Sequence, residues 1–323
     1  METTPISLAE VINTTFDDAQ ARAASGDFLD ISEERDAGTA GTNSAPFRIF
    51  DVPPENDKCS FKYFEDGARC VVDALTVKAG DSREHVHLSQ MVAAVCRFEG
   101  GEYSPVKTSR ELGVSVPEHL FRDEESVNKL RDRLPEINGF KPVVVKGEPG
   151  DLDFNRLMSN MEFELVRKMS EGGGLSGRAL LLKDGPLPGG KTLGDWQYIV
   201  GVCKSFRESL KNDSVEGLVV KLKENQRSNV FRVNGKSYWF LRLRTGLPEM
   251  PVKETVRCEI CGELDGEPDI VNDISAAILR LKFPVCFGYD DRWRNHLYPV
   301  SVTERYCKSQ YISPEMFRKK FGL

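Results

Sequence analysis

Apolar positions along this chain fall into two rhythms. Over SFKYFEDG (60–67), RCVVDALTV (69–77) and MVAAVCRF (91–98) they alternate or run continuously, which predicts three strands. Short turns separate the first two, Gly67 closing the first, so antiparallel pairing is expected. Over FNRLMSNMEFELVRKM (154–169), Met158, Met161, Leu165 and Met169 recur at helical spacing and predict an amphipathic helix. RALLLK (178–183) predicts a strand directly after it, and the apolar end of GDWQYIVGVCKSF (194–206) predicts the next. SYWFLRLRTG and TVRCEICGEL predict two further strands, DIVNDISAAILRL (269–281) a helix, and the last segment a loop with a terminal helix. Near the start, Ser7-Leu8-Ala9-Glu10 has capping-box spacing and predicts a helix to about Ala24. DAGTAGTNSAP (36–46) is small, polar and patternless, a linker. Residues 113–150, rich in Pro, Glu and Arg around a helix at DEESVNKLRDRL, read as an insertion.

Three antiparallel strands, a helix, a strand and then mixed elements predict an α/β layer structure. That order is the order of an RNase H-like core: a mixed sheet flanked by helices, with an N-terminal helical arm. The arm and linker occupy 1–46 and a single domain 47–323, interrupted around 113–150. The arm, carrying 12 acidic against 4 basic side chains over 1–58, is expected to be a separate helical element free to dock on a neighbour.

On that frame three acids take related places. Asp66 closes the first strand, Asp184 closes the strand after the helix, and Glu162 lies on the apolar helix face, directed inward. First and fourth strands are neighbours in an RNase H-like sheet, with the helix packed across them, so the three carboxylates are expected to converge. Converging carboxylates repel and need a compensating cation. Hard oxygen donors suit Mg²⁺ or Mn²⁺, which could clamp the reacting oxygens of a phosphodiester. Asp-Gly is also ordinary turn chemistry at both 66–67 and 184–185, and Asp73 is a rival for the first carboxylate.

These residues resemble motifs of the NurA family of nucleases. FEDG is similar to its first Asp-Gly motif and LLLKDGPL to its second; VGVCKS, with Lys204, resembles the Lys-bearing strand that follows, and YPVSVTERYC its C-terminal Tyr-Pro segment. The resemblance spans roughly residues 60–310 and implies metal-dependent cleavage of DNA, with Asp66, Glu162 and Asp184 as ligands of Mn²⁺ or Mg²⁺. It also implies a homodimer working with a HerA-type hexameric ATPase translocase in DNA end processing or phage defence. The family often carries a His or Asp shortly after the Tyr-Pro segment, where Tyr306 falls here; Glu304 or His296 could replace it. Two alternatives follow: a catalytically silent subunit capping an ATPase ring, and a ribonuclease on the same fold.

Composition narrows the rest. With 323 residues, 40% hydrophobic and 29% charged, the chain can bury a full core. No apolar run reaches the roughly 18 residues of a membrane span. The start, METTPISLAEV, lacks an apolar signal core, and eight scattered cysteines look like reduced thiols, so a cytoplasmic protein is expected. A net charge of −6 excludes bulk electrostatic coating of nucleic acid, yet residues 202–257 hold 12 basic and 6 acidic side chains. Lys204, Arg232, Arg242 and Arg244 are the expected contacts to a DNA backbone, against a solvated strand face as the plain alternative. Cys258-x-x-Cys261 lacks a partner pair and reads as packing thiols; His85 and His87 read as a surface loop. No glycine run carries the Lys-Ser/Thr of a P-loop.

Overall fold

The computed structural model describes residues 8–15, 19–23, 47–53, 59–79, 82–117, 120, 124–147, 154–171, 179–188, 199–204, 219–233, 235–245, 252–262, 264, 269–283, 294 and 296–321. Its strands are β1 (Ala19–Ala23), β2 (Ile49–Asp51), β3 (Ser60–Ala79), β4 (Ser82–Glu99), β5 (Glu102–Pro117), β6 (Lys141–Gly147), β7 (Ala179–Asp184), β8 (Ile199–Cys203), β9 (Gln226–Ser228), β10 (Phe231–Val233), β11 (Lys236–Arg242) and β12 (Thr255–Cys261). Its helices are α1 (Leu8–Thr15), α2 (Glu124–Arg133), α3 (Phe154–Glu171), α4 (Asp269–Leu279), α5 (Tyr298–Ser309) and α6 (Pro314–Phe321).

All the strands join one mixed sheet, ordered β2-β9-β11-β12-β8-β7-β3-β4-β5-β6, with β1 on β3 and β10 on β11. β3, β4 and β5 form an antiparallel meander; α3 then carries the chain to β7, which lies parallel to β3, and β8 lies parallel to β7. The expected adjacency of the first strand and the strand after the helix is therefore present.

α3 covers one face. Phe154, Met158, Met161, Leu165, Val166 and Met169 pack on Met91, Ala93, Val95, Leu181 and Ile199. On the opposite face α1, α2, α5 and α6 cover Val92, Ala94, Leu112 and Val114. There α4 covers Phe64, Leu180, Leu182, Val200 and Val202. Alternation along each strand sends successive side chains to these two layers, so each layer buries every second residue.

Four expectations change. Residues 60–67 and 69–77 form one 20-residue strand with a register irregularity between Val71 and Asp73, and its hairpin partner is β4. Asp66-Gly67 is no turn, because Asp66 pairs with Ala94 and Gly67 with Ala93 in an unbroken ladder. Continuous pairing overrides the local turn preference. Residues 113–150 are no insertion off the sheet: β5 runs to Pro117, α2 crosses over, and β6 adds as a parallel strand. The first helix ends at Thr15, and residues 19–23 pair with β3 instead. Ile12 is fully buried and Arg133 donates to the Thr14 and Thr15 hydroxyls, so α1 docks on its own chain. The linker at 36–46 lies outside the described residues. His85 and His87 belong to β4, with ring centroids 5.9 Å apart, not to a loop.

Candidate active site

β7 stops at Asp184 while its neighbour β3 continues, and the pairing of the two ends at Glu65–Lys183. A notch thus opens beside the middle of β3, next to Asp66. Strand alternation divides the side chains there between the two faces. Phe64 and Leu182 belong to the layer under α4, so Asp66, Asp184 and Lys204, each two residues on, face that way too. Tyr63 and Leu181 belong to the α3 layer, so Glu65, Gly67 and Lys183 face α3.

On the α5 side, Asp66 is buried and its Oδ1 accepts the Gly67 amide at 2.7 Å. Burial, then the carboxylate of Asp184, raises its pKa well above the usual carboxylate range; Lys204 opposes this, and Glu304 and Glu162 add to it. Asp184 Oδ2 receives the Lys204 ammonium at 2.8 Å, while Oδ1 is buried with no hydrogen-bond partner among the described residues. Glu304 sits on α5, partly exposed, with Lys308 at 2.8 Å. The same helix brings Cys307 against the Asp66 carbonyl.

On the α3 side, Glu162 is directed inward as its helical position requires, with a side chain 15% exposed. Its Oε1 would lie 2.5 Å from a Cβ at position 67, so only glycine there lets the helix acid come down onto the strand. Glu162 Oε2 meets Lys183 Nζ at 2.7 Å, and Glu65 Oε2 is 3.6 Å from the same nitrogen. Glu65 is fully buried; burial first, then Glu162 and Asp184, raise its pKa, against Lys183. Burial opposes charge on Lys183, but Glu162 and Glu65 hold its pKa above the ordinary value.

The three predicted acids thus come to the notch from two sides of the sheet. Asp66, Asp184, Glu304 and Lys204 gather on one face, and Glu162 approaches the same notch from the other, bound to Lys183. Glu162 also raises the Asp66 pKa, after Asp184 and Glu304. Asp73 lies further along β3, and its side chain is outside the described residues. Sequence reasoning missed Glu65 and Lys183. The signal for Lys183 was its place two residues after Leu181 in a buried run, where an ammonium must find a carboxylate.

The predicted DNA contacts divide differently. Lys204 stays at the centre. Arg242 is only 5% exposed and donates to Thr255 Oγ1; Arg244 is 9% exposed and donates to the Phe283 carbonyl. Both are held within the fold, because β11 is an interior strand between β9 and β12. Arg232 is exposed on β10 and donates to the Leu264 carbonyl. His296 Nδ1 is 3.3 Å from Ser301 Oγ, and the Tyr306 hydroxyl is 3.1 Å from Thr108 Oγ1. Cys258 and Cys261 are free thiols on β12, an odd number of residues apart and so on opposite faces.

The loop after Asp184 is clamped. Glu259 Oε2 accepts the Leu187 amide at 3.0 Å, and Lys236 Nζ donates to the Leu187 carbonyl at 2.7 Å and to Glu259 Oε2 at 2.8 Å. Arg257 closes the network on Glu259 Oε1 at 2.8 Å. The Gly185 amide bonds the Val202 carbonyl, and Gly185 holds φ 84°, a conformation glycine adopts without strain.

Oxygen-only donors, mutual carboxylate repulsion at Asp66 and the unpartnered Asp184 Oδ1 fit a hard divalent cation. Among the described residues no three His, Cys, Asp or Glu side chains form a ready-made metal site, and Lys183 and Lys204 hold Glu162 and Asp184.

No protein-family model matches this chain, and no curated protein does. Among solved structures it is similar to the NurA nuclease from Sulfolobus solfataricus, with a TM-score of 0.45 and 11% identity over 81% of each chain. Among the described residues no helix is long and apolar enough to cross a membrane.

Proposed function

We propose that this protein is a metal-dependent nuclease that hydrolyses DNA phosphodiester bonds on an RNase H-like core. The observation that carries this reading is the buried Asp66 carboxylate, on which Asp184 and Glu304 from two other elements both act, beside an enclosed Asp184 oxygen that has no hydrogen-bond partner among the described residues. Buried acids that raise one another's pKa mark a place built for a charge change or a cation, not for stability. The adjacency of β3 and β7, with α3 packed across them, supports the core assignment.

Asp66 and Asp184 would hold Mn²⁺ or Mg²⁺, with Glu304 at the open side and the Glu162–Lys183 pair bordering the site from below. Such an ion, when bound, neutralises the phosphate and lowers the pKa of a water molecule. Lys204, released from Asp184, would contact the phosphate backbone or the leaving oxygen. Partnership with a HerA-type ATPase ring, homodimerisation, and a role in end processing or phage defence rest on the sequence resemblance. A second reading, a silent subunit capping such a ring, is favoured by the lysines that already neutralise Asp184 and Glu162.

Linear DNA, circular DNA and RNA incubated with Mn²⁺ or EDTA, beside Asp184→Ala, separate these readings. Mn²⁺-dependent DNA loss absent from the variant is expected. Identical inert traces for both proteins would favour the silent subunit, and preferential RNA loss would reassign the substrate.

A further inference from the structure

The α3 side of the notch already contains a cation. Lys183 Nζ lies 2.7 Å from Glu162 Oε2 and 2.6 Å from the Asp184 backbone carbonyl, with Glu65 Oε2 at 3.6 Å. The Lys183 side chain is 2% exposed, that of Glu65 is wholly enclosed, and among the described residues neither Glu65 carboxylate oxygen has a hydrogen-bond partner, Lys183 being its ion-pair neighbour. Three oxygens from three elements, two of them carboxylate, therefore surround one buried point of positive charge. This is the donor set that would take a hard divalent ion, filled from within the chain. The seat requires Gly67, since a Cβ there would push Glu162 away. The ring of Phe163, 5.2 Å from Nζ, closes it on one side.

We propose that the Lys183 ammonium stands in for a second metal ion, so that the centre takes one divalent cation only. That ion belongs to the α5 face, among Asp66, Asp184 and Glu304, and this part rests on the nuclease reading above. On the α3 face the tethered ammonium neutralises Glu65 and Glu162 permanently. A two-ion site sets its metals about 3.5–4 Å apart, each meeting a reacting oxygen. Lys183 is too deeply enclosed to touch a substrate, so its side of the notch supplies charge and shape while substrate contact falls to the α5 side and Lys204. The Asp184 carbonyl bound to Nζ ties the seat to the strand end that carries the proposed ligand.

Mn²⁺ binding by the full chain, measured by titration calorimetry, together with thermal unfolding in EDTA and in Mn²⁺, tests the assignment. Expected are one ion per chain in wild type and two in Lys183→Ala. The variant should melt below wild type in EDTA and recover in Mn²⁺ by a larger shift than wild type shows. Two ions in wild type would overturn the proposal. So would a folded Lys183→Ala that binds one ion and gains no extra stabilisation from Mn²⁺. No ion in wild type but one in Lys183→Ala would sink the nuclease reading while upholding the cation seat. If Lys183→Ala fails to fold, the variant that adds Glu65→Gln and Glu162→Gln removes the buried negative charge with the cation. Retention of one ion there supports the proposal, and its loss would mean that Glu65 or Glu162 holds the metal.

Discussion

Glu259, on β12, accepts the amide hydrogen of Leu187 at 3.0 Å, three residues beyond Asp184 and two strands away from it. Lys236 holds the carbonyl of the same residue, so the loop that follows Asp184 is fixed at both the amide and the carbonyl of Leu187. Breaking one partner of a buried ion pair costs about 3–5 kcal/mol, because the other charge is left uncompensated. Glu259→Leu is therefore expected to lower stability by that order and to release the loop. Urea unfolding checks the energy, and amide exchange at Leu187 checks the clamp. Unchanged protection of that amide would show that the loop holds itself.

Packing against α3 selects glycine at position 67. A Cβ there would fall 1.9 Å from Met158 Cε and 2.5 Å from Glu162 Oε1. Both are ends of flexible side chains and can yield, so Gly67→Ala should fold, at a cost of about 1–3 kcal/mol. The displaced Glu162 would leave Lys183, and Mn²⁺-dependent cleavage should fall at least about tenfold, the size of a small misplacement of a positioned group. Full activity in this variant would mean that Glu162 has no part in the site.

The protonation of Asp66 links stability to pH. Its folded pKa is raised above the ordinary 3.8, so its contribution favours the fold below that pH and is lost as pH rises through the folded value. Asp66→Asn cannot ionise and escapes the loss. In EDTA its stability advantage over wild type should widen as pH rises from the ordinary 3.8 through the raised folded value. A difference independent of pH would show that Asp66 does not titrate abnormally.

Arg242 separates fold from DNA contact. Its guanidinium is buried against Thr255, inside the sheet. Arg242→Ala is expected to destabilise by about 1–3 kcal/mol, through the lost hydrogen bonds and the partners left behind, with DNA affinity of the folded fraction unchanged. Lys204→Ala should also destabilise, because it leaves the enclosed Asp184 carboxylate uncompensated, but it should in addition weaken DNA binding by the folded protein. A DNA affinity loss in Arg242→Ala at temperatures where it is folded would return Arg242 to the binding surface.

Ile12 tests the N-terminal element. It is fully enclosed among strand and helix residues of the main core. Ile12→Ala should cost about 2–5 kcal/mol, as for a buried aliphatic, whereas a free arm would leave the unfolding midpoint untouched.

Much of this was legible from residues alone. The helical spacing of Met158, Met161, Leu165 and Met169 marked α3, and Glu162 on that stripe was bound to point inward. Asp184 at the end of an apolar run marked the end of β7. Local preference misled where long-range pairing outweighed it: Asp66-Gly67 has turn chemistry, yet β4 pairs across it. It misled again at residues 19–23, whose partner strand lies more than fifty residues later.

Periodicity alone therefore determined α3, β7 and the inward course of Glu162, because hydrophobic spacing is local and survives without a fold. Only tertiary structure decided which face each acid meets and which cation meets it. In a strand, a side chain's face follows from the register of pairing, and register depends on partners distant in the chain. Lys183 and Asp184 are adjacent residues, yet one neutralises Glu162 beneath the sheet and the other receives Lys204 above it.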